Sequence, residues 1–153
     1  MLKIRKAGKG DLNFIFDTSY KSIRKGLTDA GDTLDQAGYR QSMNSLHVFW
    51  KKNCEIDILC DDEFPEVIIS YLIYKKQTDR IDLWFCYTKA DFRRNSMLKV
   101  LINPLLQEDL PFRYFFKTYN LARWIKMEKS DFFSLIYNKS EKKLKKINFS
   151  LLF

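Results

Sequence analysis

The stretch YTKADFRRNSMLK, residues 87–99, contains the change from a buried strand to an amphipathic helix, and this change decides the fold. On its amino-terminal side, Ile81–Thr88 is a β-prone run with apolar residues on both faces, which is typical of a covered strand. On its carboxy-terminal side, apolar residues recur at helical spacing: Met97, Leu98, Leu101, Ile102 and Leu105. The sequence therefore predicts a strand-to-helix junction across residues 88–95.

This junction has the chemistry of an anion-binding site. The first backbone N–H groups of a helix have no internal partner, and the helix dipole favours a negative charge there. Arg93, Arg94 and Lys99 add positive charge, and arginine can hold phosphate oxygens in a bidentate fashion. The junction thus indicates a phosphate site, with a ligand-free, exposed basic helix start as the alternative for the two arginines.

The amino-terminal third predicts one strand followed by two helices. Leu2–Lys6 alternates apolar and basic residues, as a half-buried strand does. Asp11 can cap a helix whose apolar positions continue to a stop signal at Lys25-Gly26, and a polar loop, Leu27–Gly38, follows. A second helix is expected near Tyr39–Lys52.

Three strands are predicted next. Ile56–Cys60 and Val67–Tyr74 are β-type runs separated by the acidic hairpin turn Asp61–Pro65, and a polar turn leads into Ile81–Thr88. The helix after the junction is expected to end between Pro104 and Pro111.

The remaining residues predict a strand, a helix and a last strand: Phe112–Thr118, Asn120–Lys129 and Ile147–Phe153. Taken together, the elements indicate an α/β (α+β) fold, a mixed sheet with helices on its faces. A chain of 153 residues is consistent with a single domain, 1–153.

Composition excludes several classes of protein. Half of the net charge of +8 lies in the lysine-rich segment 139–146, which has five lysines and one glutamate. This segment could contact nucleic acid through phosphates alone and carries no signal for reading bases, so a solvated face is favoured and nucleic acid stays the alternative. One histidine and no Cys-x-x-Cys pair argue against a zinc site, and three cysteines without an export signal indicate reduced thiols. No apolar run is long enough for a membrane span, so a cytoplasmic protein is expected.

Two reactive side chains are interpreted as structural. His47 lies on the apolar side of the second helix with Trp50, which favours packing or a surface position over catalysis. Cys86 is flanked by apolar strand residues and is expected in the core.

At the junction the chain resembles the GNAT acetyltransferase superfamily. RRNSML, residues 93–98, is similar to the family loop Arg/Gln-x-x-Gly-x-Gly/Ala, and Tyr87-Thr88-Lys89 resembles the Tyr-Val-Lys that often precedes it. FIFDTSYKSI, residues 14–23, is similar to a helix of small GNAT-like proteins of tailed bacteriophages. The resemblance covers residues 1–138 and implies a mostly antiparallel sheet with helices on both faces.

The resemblance implies acetyl-coenzyme A as cofactor, a primary amine as acceptor, and a set of site residues. The loop would hold the pyrophosphate, and the strand end would flank the pantetheine arm and the thioester carbonyl. The implied cofactor-binding residues are Cys86, Tyr87, Thr88, Arg93, Arg94, Asn95, Ser96, Met97, Leu98 and Lys99. Tyr119 would protonate the leaving thiolate, and Asp82 is the candidate base.

A non-catalytic function is the alternative. Ser96 and Leu98 occupy the two small-residue positions of the loop, and no glycine follows Gly38. A leucine there can block close approach of the backbone to a pyrophosphate. The alternative is therefore a phage-type GNAT-fold protein that binds a host or virion protein, in the host cytoplasm or the virion, through its aromatic-rich carboxy-terminal half. On this view Tyr119 is a half-buried aromatic and Asp82 faces solvent.

Overall fold

The computed structural model describes residues 1–29, 35–93 and 95–114, which form five strands and three helices with two short 3₁₀ turns. In chain order these are β1 (Leu2–Lys6), a 3₁₀ turn (Lys9–Asp11), α1 (Leu12–Asp29), α2 (Gln36–Asn53), β2 (Glu55–Asp61), β3 (Ile68–Lys76), β4 (Ile81–Thr88), a 3₁₀ turn (Ala90–Phe92), α3 (Met97–Leu106) and β5 (Phe112–Tyr114). This order matches the predicted one up to β5. The elements predicted at 120–129 and 147–153, and the lysine-rich segment, lie outside the described residues.

The described strands form one mixed sheet in the order β1-β2-β3-β4-β5. The first four strands pair antiparallel with their neighbours, and β5 runs parallel to β4. The predicted fold class, a mixed and mostly antiparallel sheet with helices on both faces, is confirmed.

One face of the sheet, which we call the aromatic face, is covered by α1 and α2. Ile15 of α1 and Trp50 of α2 are fully buried there. Rings from β3 and β4 join them, and the buried side chains of this layer include Met43, Leu46, Ile58, Tyr71, Ile73, Trp84 and Phe85. The apolar faces of the two helices and of the strands thus pack against each other in one layer.

The opposite face, which we call the aliphatic face, is covered by α3. Leucine and isoleucine side chains of the helix pack on strand residues of β2, β3 and β4. The buried side chains of this layer include Leu59, Leu72, Ile81, Leu83, Cys86, Leu98, Leu101, Ile102 and Leu105. The start of α3 is therefore anchored to the middle of the sheet.

A β-bulge interrupts β4. Leu83 is opposite Tyr74 and Phe85 is opposite Ile73, so Trp84 is the extra residue. Leu83 packs on the aliphatic face, whereas Trp84 and Phe85 both pack on the aromatic face. The bulge therefore reverses the direction of every later residue in the strand, up to the junction with α3.

The predicted stop of the first helix at Lys25-Gly26 is wrong. Helix α1 continues to Asp29, because Leu27 lies one turn after Ile23 and both are buried. Burying a leucine side chain contributes about 2 kcal/mol, which exceeds the cost of about 1 kcal/mol for a helical glycine. The tertiary contact decides the boundary.

The predicted loop Leu27–Gly38 is shorter than expected at both ends. Residues 27–29 belong to α1, and α2 begins at Gln36, where the Asp35 carboxylate accepts a hydrogen bond from the Gly38 N–H at 3.1 Å. Residues 30–34 lie outside the described part.

One further expectation is corrected and another is confirmed. Strand β1 is not half-buried, since Leu2 and Ile4 are 41% and 39% exposed at the edge of the sheet. Helix α3 ends at Leu106, between Pro104 and Pro111 as predicted, and Leu105 in its last turn is still buried against the sheet. No helix in the described ranges has both the length and the apolar character that a membrane crossing needs.

Candidate functional site

The end of β4 presents backbone groups at its outer edge, the edge away from β3. The Lys89 N–H donates to Ile69 O at 2.9 Å, so residue 89 faces β3. Backbone groups alternate in direction along a strand, so those of Thr88 and Cys86 point to the outer edge. Within the described residues, pairing with β5 covers Ile81–Leu83.

A buried hydroxyl holds the strand end in place. Ser70 of β3 is fully buried, and its Oγ donates to Tyr87 O at 2.6 Å. The Ser70 Oγ is also 3.0 Å from Thr88 Oγ1. Since the single Ser70 proton goes to Tyr87 O, the Thr88 hydroxyl is the donor in this second contact. Ser70 was not among the predicted site residues, although it is a polar residue within the apolar run 67–74 and this was a usable signal.

Arg93 folds back onto the same strand end. Its Nε donates to Thr88 O at 3.0 Å, and the side chain is exposed. One edge of the guanidinium is thus used to fix its position, and the charge stays next to the junction. In this position the guanidinium can bind an anionic ligand that arrives from solvent.

The loop contains a backbone conformation that glycine favours, but the residue that adopts it is a serine. Ser96 has φ 59° and ψ 24°, in the left-handed region, and α3 starts at the next residue. A residue with a side chain loses about 1 kcal/mol in this conformation relative to glycine. The chain therefore makes, with a serine, a turn that glycine would make at a lower cost in stability.

Leu98 does not fill the loop. Its side chain is 6% exposed and packs on the aliphatic face, with the side chains of α3 that touch the sheet. By contrast, Asn95, Ser96 and Lys99 are exposed. The loop thus presents polar and basic groups to solvent at the amino end of α3, while its apolar residue points into the core.

These observations test whether the residues fit a coenzyme with a pyrophosphate and an extended arm. The helix start, Arg93 and Lys99 supply donors and positive charge for phosphate oxygens. The outer edge of β4 at Thr88 supplies backbone groups for an extended amide chain. The described residues fit such a group. Arg94 and Tyr119 lie outside the described residues.

Asp82 lies at the other end of β4. It is 5% exposed, so the expectation that it faces solvent is wrong. Its carboxylate accepts hydrogen bonds from Arg80 Nε at 2.9 Å and Gln77 Nε2 at 3.2 Å, in the β3–β4 turn. Six residues of strand, about 20 Å, separate it from Thr88. The structure does not bring the candidate base to the junction.

His47 and Cys86 are buried, and the predicted packing of His47 and core position of Cys86 are confirmed. His47 Nε2 is 3.0 Å from Ser19 Oγ, and its ring stacks on Phe16 at 4.3 Å. Burial lowers the pKa of His47 to about 4. Cys60 is also buried, whereas Cys54 is half-buried.

An aromatic cluster borders the strand end on the aromatic face. The half-buried Tyr87 stacks on Tyr71 at 5.3 Å and meets Phe14 edge-on at 6.0 Å. The Tyr71 hydroxyl donates to Ile15 O at 3.1 Å, which ties the cluster to α1. Sequence periodicity predicted that Tyr87 lies at the end of the strand. It did not predict these ring contacts, because they join residues far apart in the chain.

Comparisons with known proteins identify the fold. No family model and no curated protein matches the sequence. Among solved structures, the chain is similar to the PaiA N-acetyltransferase of Thermoplasma acidophilum in complex with coenzyme A, at 12% identity and a TM-score of 0.55, over 81% of this chain and 84% of that one. It is also similar to a Corynebacterium glutamicum structure named histone acetyltransferase HPA2 and related acetyltransferase, at 13% identity and a TM-score of 0.57, over 80% of each chain.

A third similar structure is a predicted acetyltransferase of Clostridium acetobutylicum with acetyl-CoA. It shares 13% identity and a TM-score of 0.50, over 86% of this chain and 92% of that one. None of these three structures is from a bacteriophage, so the narrower resemblance to phage proteins stays a prediction. The TM-scores and coverages establish a shared architecture, and we conclude that the chain has the fold of the GNAT acetyltransferases.

Proposed function

We propose that the protein is an acetyl-coenzyme A-dependent N-acetyltransferase that acts on a primary amine. The observation that carries the proposal is the left-handed bend at Ser96, directly before α3 and three residues after Arg93, whose side chain is held at the end of β4. The exposed loop, together with the Arg93 guanidinium held at the strand end, supports a pyrophosphate site like that of the family loop. The burial of Leu98 in the core supports the same proposal, because it leaves the loop open.

The described residues have separate roles in this proposal. Bound acetyl-coenzyme A supplies an activated thioester. Arg93, the exposed Lys99 and the start of α3 bind the phosphates, and Thr88 orients the extended arm along the outer edge of β4. The acceptor amine must lose a proton and the thiolate must gain one, and Tyr119 is the proposed acid. Asp82 is held by Arg80 and Gln77 away from the junction, so the base is left unassigned.

Titration calorimetry with acetyl-coenzyme A tests the proposal. We expect binding to the unmodified protein, and a roughly tenfold weaker affinity for Arg93→Ala, since a charge-assisted hydrogen bond to phosphate contributes about 1.5 kcal/mol. Arg40→Ala is the matched control, because Arg40 is an exposed arginine of α2, away from the loop. Undetectable heat at millimolar ligand would rule the proposal out.

Catalysis is tested separately from binding. Release of free thiol from acetyl-coenzyme A in the presence of a panel of primary amines reports transfer. We expect Tyr119→Phe to lower kcat while the affinity for acetyl-coenzyme A is retained. An unchanged kcat would remove Tyr119 from the mechanism.

The second candidate function is a GNAT-fold protein that no longer transfers an acetyl group and instead binds a host or virion protein. The serine in a left-handed conformation favours it, since an active loop gains stability from glycine at this position. Binding of acetyl-coenzyme A without transfer to any amine, together with a specific partner recovered from host lysate, would support this candidate.

A further inference from the structure

Ser70 stands out because it is a polar residue in the most apolar part of the sheet. Its neighbours on β3 are Ile68, Ile69, Tyr71, Leu72 and Ile73, and the serine itself is fully buried. Burying a hydroxyl costs free energy unless it is hydrogen-bonded, and packing alone would be served by alanine or valine. The hydrogen bonds of its hydroxyl therefore explain why a serine occupies this position.

The hydroxyl belongs to a short chain of hydrogen bonds at the strand end. Thr88 Oγ1 donates to Ser70 Oγ at 3.0 Å, and Ser70 Oγ donates to Tyr87 O at 2.6 Å. Donors in such a chain polarise one another, which strengthens the final bond. The acceptor, Tyr87 O, is one end of the peptide unit that joins Tyr87 to Thr88.

The orientation of this peptide unit decides which of its two groups, the C=O or the N–H, points to the outer edge of β4. A trans peptide is planar, and its C=O and N–H point in opposite directions. The pairing of Tyr87 with Tyr71 turns the Tyr87 C=O toward β3, and the Ser70 hydroxyl is a further donor that holds this carbonyl, so the Thr88 N–H points to the outer edge of β4. Arg93 Nε holds the next carbonyl, Thr88 O, at 3.0 Å. The two contacts fix the peptide units on both sides of the Thr88 α-carbon.

We infer that Ser70 is a positioning residue for the acyl-transfer site, which orients the Thr88 N–H toward a carbonyl oxygen of the pantetheine arm. The inference rests on the proposed function. Ser70 does not touch the coenzyme in this role and acts through the Tyr87–Thr88 peptide unit. Its contribution is to keep the N–H in one direction before the ligand binds, so that less conformational entropy is lost on binding.

Two ligands separate positioning from a general effect on the fold. Acetyl-coenzyme A contains the pantetheine arm, whereas adenosine 3′,5′-bisphosphate contains part of the nucleotide end and no arm. We expect Ser70→Ala to weaken the calorimetric affinity for acetyl-coenzyme A by about five- to tenfold and to leave that for the bisphosphate within about twofold. Arg93→Ala, which acts on the phosphate end, is expected to weaken both.

A conservative variant checks the role of the hydroxyl. Ser70→Thr keeps the donor and is expected to recover most of the affinity for acetyl-coenzyme A. Thermal unfolding of each variant shows whether the sheet is intact, which we expect because the β3–β4 ladder, including Lys89 N to Ile69 O, does not depend on the Ser70 side chain.

The outcomes that overturn the inference are distinct from failure of the proposed function. If the unmodified protein does not bind acetyl-coenzyme A, the proposed function is wrong and the inference falls with it. If the unmodified protein binds and Ser70→Ala binds equally well, the inference alone is wrong. An equal loss of affinity for both ligands in Ser70→Ala also overturns the inference, because it would show that Ser70 supports the fold in general and not the orientation of the Thr88 N–H.

Discussion

The two faces of the sheet are built from different side chains. The aromatic face, under α1 and α2, combines rings with buried polar groups, such as the Ser19–His47 pair and the Tyr71 hydroxyl. The aliphatic face, under α3, has branched aliphatic side chains at its centre, with Ser70 as a buried polar residue that does not titrate. The aliphatic face anchors the start of α3, so the candidate site depends on packing, whereas the stability of the aromatic face also depends on protonation.

The largest expected effect concerns packing on the aliphatic face. Leu101→Ala removes a leucine that is 1% exposed and leaves a cavity, which we expect to lower the free energy of unfolding by about 3 kcal/mol in urea denaturation. Leu106→Ala, in the same helix and 42% exposed, is the control and should cost less than about 1 kcal/mol. Similar losses for both variants would show that α3 is not anchored as described.

The next effect concerns protonation on the aromatic face. Burial lowers the pKa of His47 to about 4, below the usual value of 6.5. Between these values the unfolded chain binds more protons than the folded one, so stability falls as the pH is lowered. We expect a loss of about 2 kcal/mol from pH 6.5 to pH 5, at about 1.4 kcal/mol per pH unit.

His47→Gln isolates this effect, because glutamine can still hydrogen-bond to Ser19 and does not titrate. Urea denaturation of this variant should show a nearly flat stability between pH 6.5 and pH 5. The carboxylates with lowered pKa, Asp11 and Glu55, lose their contribution at lower pH, since their usual pKa values are already 3.8 and 4.5. An equally steep pH dependence in the glutamine variant would place the acid-sensitive group elsewhere.

The smallest effect concerns the loop itself. Ser96→Gly relieves a left-handed backbone and is expected to raise the free energy of unfolding by about 1 kcal/mol. Ser45→Gly is the matched control, because Ser45 is an exposed residue within α2, where glycine should lower stability by about 0.5 kcal/mol. If both variants lose stability, the bend at residue 96 is not the one described.

Sequence reasoning succeeded for long elements with a clear period. Strand β4 was predicted at Ile81–Thr88 and is found there, because both of its faces are apolar and its ends are marked by polar residues. The first helix was predicted correctly in type and incorrectly in length. Its stop signal at Gly26 is local, whereas the burial of Leu27 depends on residues from other elements.

The candidate site was predicted less completely. The junction and the charge of Arg93 follow from local pattern, but the sequence left open whether Leu98 blocks the loop, and the structure places its side chain in the core. Asp82 was named as the candidate base within the family resemblance. Its ion pair with Arg80, in the β3–β4 turn, gives it a structural role that its place in the strand does not reveal.

The order and type of the described elements, and the basic junction after β4, follow from the sequence alone, because apolar periodicity and turn residues act over a few neighbouring positions. The bulge at Trp84, the left-handed bend at Ser96 and the Ser70–Tyr87 hydrogen bond do not. Each of these depends on pairing between strands or on the docking of α3, and such contacts join residues whose separation in the chain carries no local signal.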